Sequence, residues 1–134
     1  PLLHIADATA AAIKQAGCRR VGLLGTKFTM QQPFYRERLS EQHGVEVVLP
    51  NEDEQDNLHR IIYQELCQGV IEPESKQTVR KMMAGLAWQG VDGIILGCTE
   101  IGLLVGKADA AVPLFDTTII HAKAAVELAL SDGK

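Results

Sequence analysis

Val91-Asp92-Gly93-Ile94-Ile95-Leu96-Gly97-Cys98-Thr99-Glu100 decides how this chain is read. The apolar run from Val91 to Leu96 reads as a buried strand, Gly97 as a tight turn and Cys98 as the start of a helix. A helix N-terminus offers unpaired N–H groups and a partial positive charge, and both lower a thiol pKa. A thiolate at Cys98 would be a nucleophile, a redox centre or a proton-transfer base. The competing reading is a buried small hydrophobe.

Outward from this stretch, apolar segments alternate with helical patterns. Leu2-Leu3-His4-Ile5 reads as a short strand and Ala6 to Ala16 as an Ala-rich helix stopped by Gly17. Arg20 to Leu24 reads as a second strand, followed by the loop Gly25-Thr26-Lys27-Phe28-Thr29, with Thr29 as N-cap of a helix running to about Gln42 and ended by Gly44. Val45 to Leu49 is the third strand. Asn51 caps a helix with Leu58, Ile61, Ile62 and Leu66 at helical spacing, closed by Gly69, and a further helix spans about Glu74 to Gln89. After the fourth strand, Glu100 to Val105 predicts one or two helical turns, Val112 to Phe115 a fifth strand, and Thr117 to about Leu130 a last helix. This alternation predicts an α/β fold with a parallel sheet flanked by helices.

Two internal echoes support that order. Val21-Gly22-Leu23-Leu24-Gly25-Thr26 resembles Gly93-Ile94-Ile95-Leu96-Gly97-Cys98, and Pro1-Leu2-Leu3 resembles Pro113-Leu114-Phe115, each with an Asp and a Thr following. Ligands in open parallel sheets bind beyond the carboxyl ends of the strands, so the loops after strands two, four and five would face one crevice.

The 134 residues suit a single domain with a real core, and 46% hydrophobic with 22% charged residues is ordinary for a soluble globular protein. A net charge of −4 argues against nucleic-acid binding. No apolar run reaches the length of a membrane span, and no signal peptide opens the chain. Three cysteines without paired spacing argue for reduced thiols and a cytoplasmic setting. Opening at Pro1 inside an apolar segment suggests a piece of a longer chain.

The remaining polar residues carry less. Cys18 and Cys67 lack the setting of Cys98 and read as structural. Thr26 and Thr29 could bind an anion through hydroxyls and helix N–H groups, or could simply cap a helix; the segment lacks the spacing of a P-loop or a dinucleotide fingerprint. Glu100 would accept a substrate ammonium or complement a helix dipole. His4 and His121 read as structural, Glu52-Asp53-Glu54 with Asp56 as a helix first turn, and no His/Cys/Asp cluster has metal-ligand spacing.

Gly97-Cys98-Thr99-Glu100-Ile101 followed by Val112-Pro113-Leu114-Phe115-Asp116-Thr117-Thr118 closely resembles the aspartate/glutamate racemase family, most of all its bacterial broad-specificity amino-acid racemases. Pro1 to Thr9, the Leu24-Gly25-Thr26…Thr29-Met30 loop and Ile62 to Gly69 fit the same family. The resemblance covers essentially all of residues 1–134, but only the C-terminal portion of a family member. It implies an enzyme of two similar α/β domains, free of cofactor and metal, whose active site lies between the halves. One thiol from each half would face the substrate Cα, one removing the α-proton and the other returning a proton to the opposite face. Cys98 matches the second-half thiol, while the first-half cysteine motif has no counterpart here. Thr26 and Thr29 would hold the substrate carboxylate, with Thr99 and Glu100 beside the thiol. The implied partners are a small-molecule amino acid and a missing N-terminal domain, with which the first and last strand–helix units would pack; a homo-oligomer is left open. The alternatives are a non-enzymatic domain binding a small amino acid or dicarboxylate, and a thiol-dependent lyase or isomerase of the same superfamily.

Overall fold

The structure is a computed structural model and describes residues 5–132. Its strands are β1 (Arg20–Leu24), β2 (Glu46–Val48), β3 (Gly93–Leu96) and β4 (Leu114–Asp116). Its helices are α1 (Ile5–Gln15), α2 (Lys27–Gln31), α3 (Pro33–His43), α4 (Glu52–Gln64), α5 (Pro73–Trp88), α6 (Ile101–Leu104) and α7 (Thr117–Asp132). The strands form one sheet in the order β2-β1-β3-β4, every neighbouring pair parallel, with Gly22 opposite Ile94 and Ile95 opposite Phe115. The α/β prediction therefore holds.

Parallel strands need crossovers, and right-handed crossovers put opposite directions of travel on opposite faces. The step from β1 to β2 runs one way across the sheet; the steps to β3 and β4 run the other. Accordingly α1 packs with α3 and α7, while α4 packs with α5. Val21, Leu23, Leu24, Ile94 and Ile95 are fully buried between these layers, as strands covered on both faces must be. The order reverses between β1 and β3, so the crevice at their carboxyl ends is the place this topology reserves for a ligand.

Local chemistry explains most boundaries and several departures from expectation. Asn51 caps α4 through a reciprocal box: its Oδ1 accepts the Glu54 N–H at 2.8 Å, and Glu54 Oε1 accepts the Asn51 N–H at 3.1 Å. The single helix expected from Thr29 to Gln42 is two helices. Pro33 opens α3, and the residue before a proline is driven out of the helical region; Gln32 sits at φ −68°, ψ 117°. The N-cap of α2 is Thr26, not Thr29. The α4 helix ends at Gln64, and Gly69 closes a separate 3₁₀ turn over Leu66–Gln68. Strand β3 starts at Gly93 instead of Val91, and β4 is displaced to Leu114–Asp116. Of the strand expected at Leu2–Ile5, residues 2–4 lie outside the described residues, and Ile5 belongs to α1.

A charged cluster fastens α1 to α3. Arg38 donates to both Asp7 carboxylate oxygens, Nε at 2.9 Å and Nη2 at 2.8 Å, and His43 Nε2 lies 2.8 Å from Asp7 Oδ1. Arg38 first, then His43, hold the Asp7 carboxyl well below the usual carboxylate range. Among the described residues no helix is long and apolar enough to cross a membrane.

Candidate active site at the carboxyl edge of the sheet

The segments after β1 and β3 carry every site residue expected from the sequence: Thr26 and Thr29 after β1, and Cys98, Thr99 and Glu100 after β3. Thr26 caps α2, its Oγ1 accepting the Thr29 N–H at 3.1 Å and donating to Thr29 Oγ1 at 3.0 Å. The two threonines thus form one short chain of hydroxyls. The β1 and β3 loops are also in direct contact: Gly97 donates its N–H to the Leu24 carbonyl at 2.7 Å. The approach is close enough that a side chain at Gly97 would crowd its neighbours. A Cβ there would stand 3.3 Å from both the Leu24 carbonyl oxygen and the Thr29 methyl. Thr29 therefore packs against the residue that precedes Cys98.

The β3 loop is tied in turn to β4. Thr117 Oγ1 donates to the Leu96 carbonyl at 3.2 Å, and the Thr99 and Thr118 hydroxyls lie 3.0 Å apart. Asp116 Oδ1 accepts the Thr118 and Ile119 N–H groups at 3.0 and 3.2 Å, and so caps α7. Sequence reading had not given Asp116 or Thr118 a role, although both stand in the segment that resembles the racemases.

The thiol itself departs from expectation. Cys98 does not begin a helix; α6 begins at Ile101 and is four residues long. Its Sγ donates to Glu100 Oε2 at 2.9 Å. Burial first, and then the carboxylate that accepts the thiol proton, push the Cys98 pKa up to about 11. No helix starts at Cys98 to lower its pKa, and its surroundings shift it upward instead, opposite to the expected direction. The same hydrogen bond lowers the Glu100 carboxyl. The pair is therefore a thiol proton held on an ionised carboxylate.

The other cysteines lie apart from this edge. Cys18 precedes β1 at the amino end of the sheet, is buried, and donates Sγ to the Asp92 carbonyl at 3.1 Å, as a structural cysteine should. Cys67 is exposed on the 3₁₀ turn and is no core residue, contrary to its structural reading. His4 lies outside the described residues, and His121 is half-buried on α7. Among the described residues no group of three or more His, Cys, Asp or Glu could hold a metal ion.

The parallel sheet places a thiol, a carboxylate and paired hydroxyls at its switch point, the position where open α/β sheets generally seat their ligands. Residues 1–125 match the family model Asp/Glu/Hydantoin racemase, and the chain belongs to that family. The fold is similar to the crystal structure of a Yersinia pestis protein named as a candidate Asp/Glu racemase, at a TM-score of 0.94 and 57% identity over 97% of this chain and 56% of that one. It is also similar to an aspartate racemase homologue from Pyrococcus horikoshii OT3, at a TM-score of 0.89 and 42% identity over 96% of this chain and 56% of that one. An uncharacterized protein from the pnlA 3′ region of Pectobacterium carotovorum subsp. carotovorum is 31% identical over 104 residues, 78% of this chain and 67% of that protein. The chain thus spans little more than half the length of the solved relatives.

Proposed function

We propose that this chain is the second half of a two-domain amino-acid racemase in which Cys98 serves one face of the substrate Cα. The observation that carries the reading is the meeting of three things at one switch point: the Thr26–Thr29 hydroxyl pair, Gly97 packed against Thr29, and the Cys98 thiol held on Glu100. The apolar side chains of Ile119, Val126 and Leu130, exposed along α7, support a further α/β half packing there.

Thr29 presents the hydroxyl proton to the substrate carboxylate, because the Thr26 hydroxyl proton is already spent on Thr29 Oγ1. The second Glu100 oxygen accepts from the substrate ammonium. Thr99, tied to Thr118, holds the far side of the loop. A thiolate from the other half removes the α-proton, breaking the Cα–H bond and leaving a carbanion. Cys98 delivers its Sγ proton to the opposite face, a new Cα–H bond forms, and Cys98 is left as thiolate. The protonated resting thiol suits this donor role. In the reverse direction Cys98 is the base. Only protons move, so the chemistry as proposed calls on no cofactor. Enclosure between two halves would exclude water and strengthen these interactions.

The test is racemisation and solvent-deuterium incorporation at Cα with the full-length protein, across a panel that includes both enantiomers of aspartate and glutamate. Inversion with deuterium at Cα is expected. Tight amino-acid binding without exchange would instead establish a non-enzymatic binding domain.

A further inference from the structure

We propose that His59, on α4, is a positioning residue for the Thr26–Thr29 loop and acts through the backbone amide of Lys27. Its effect on catalysis rests on the racemase reading above; the anchoring itself does not. At five residues, α2 is far too short to persist on its own hydrogen bonds, and its first N–H groups need partners from outside the helix. The Thr29 N–H is taken by Thr26 Oγ1. The Lys27 N–H is taken by His59 Nδ1 at 3.0 Å, across 32 residues of chain. The imidazole meets this amide through Nδ1 as the acceptor.

Neighbouring α4 side chains hold the rest of α2. Asp56 pairs with the Lys27 ammonium, and Gln55 Oε1 accepts from Gln31 Nε2 at 3.1 Å. His59 differs from both in reaching the main chain, at the residue directly after Thr26. A shift of the Lys27 amide moves Thr26 Oγ1, and through the hydroxyl pair it moves Thr29 Oγ1. The anchor is itself firmly seated. Leu58, Ile61 and Ile62 bury α4, and the Tyr63 ring stands 4.7 Å from the imidazole at a 48° tilt. Cys98, by contrast, is carried by β3. Loss of His59 should therefore loosen substrate capture more than proton transfer.

The experiment compares His59→Leu, which removes the acceptor, with His59→Asn, whose side-chain oxygen can replace it, in the full-length protein. Two readouts are taken: amide hydrogen exchange at Lys27, and KM against kcat for L-aspartate. In His59→Leu we expect Lys27 to exchange about fivefold faster and KM to rise about fivefold, the worth of one neutral hydrogen bond, with kcat within about twofold. His59→Asn should restore both to within about twofold of the wild type. Equal Lys27 exchange in wild type and His59→Leu would overturn the proposal, as would His59→Asn failing like His59→Leu. Should the Leu variant not fold, Lys27 protection and KM must still be retained in His59→Asn, and loss of either contradicts the assignment. A wild-type protein that moves no α-proton would sink the racemase reading, and the exchange comparison would then decide the His59 anchor alone.

Discussion

At the scale of the residue, the deciding interaction is the 2.9 Å hydrogen bond from Cys98 Sγ to Glu100 Oε2. It makes the thiol a proton store whose reluctance to ionise is set by burial first and by the carboxylate second. Glu100→Gln removes the negative charge and the charged acceptor but leaves the burial. The Cys98 pKa should fall from about 11 without returning fully to that of an exposed thiol. Each unit of that fall raises the thiolate fraction at pH 8 about tenfold, and the thiolate is the form that alkylates. Iodoacetamide labelling of Cys98, followed by mass spectrometry, should therefore be faster in Glu100→Gln; unchanged or slower labelling would separate the carboxylate from the thiol's ionisation. None of this is legible in Gly97-Cys98-Thr99-Glu100 read as letters. The motif marks the place, whereas the sign of the pKa shift depends first on how deeply the fold buries the thiol and then on a side-chain rotamer two residues away.

At the scale of the element, the sequence is most readable where one local rule dominates. Leu23, Leu24, Ile94, Ile95 and their apolar neighbours locate β1 and β3, and Asn51 with Glu54 marks the start of α4. Pro33 carried a signal for the break between α2 and α3 that the expectation of one continuous helix passed over. His59 offered no local signal at all, since its partner lies 32 residues earlier in the chain. The tie between α1 and α3 was equally invisible, because Asp7, Arg38 and His43 lie far apart in the chain and meet only through the packing of α1 against α3. It carries a clear pH signature. The Asp7 pKa is depressed in the folded chain, so its contribution is present above the ordinary aspartate pKa of about 4 and is lost as pH falls toward the folded value. Asp7→Asn should lower the urea midpoint at pH 7, and the gap to wild type should narrow by about pH 3. Asp7 and Arg38 are partly exposed, so the effect should be modest and salt-sensitive. A gap that stayed constant from neutral to acid pH would remove the charge cluster from the stability of this layer.

At the scale of the whole molecule, strand order does what no single motif could: it brings Thr26, Thr29, Cys98, Thr99 and Glu100, spread over 75 positions of sequence, to the carboxyl ends of neighbouring strands. The central claim is that Cys98 moves the α-proton. Cys98→Ser in the full-length protein tests it most directly, because the swap barely alters volume while replacing a thiol by a far weaker acid. With circular dichroism following the optical activity of aspartate, glutamate and other amino acids, the variant should fold and bind as the wild type does. It should show no net inversion, although α-proton exchange from one enantiomer could persist through the other half's thiol. Near-normal inversion by Cys98→Ser, in a protein whose wild type racemises the same amino acid, would take Cys98 out of the mechanism and contradict the account.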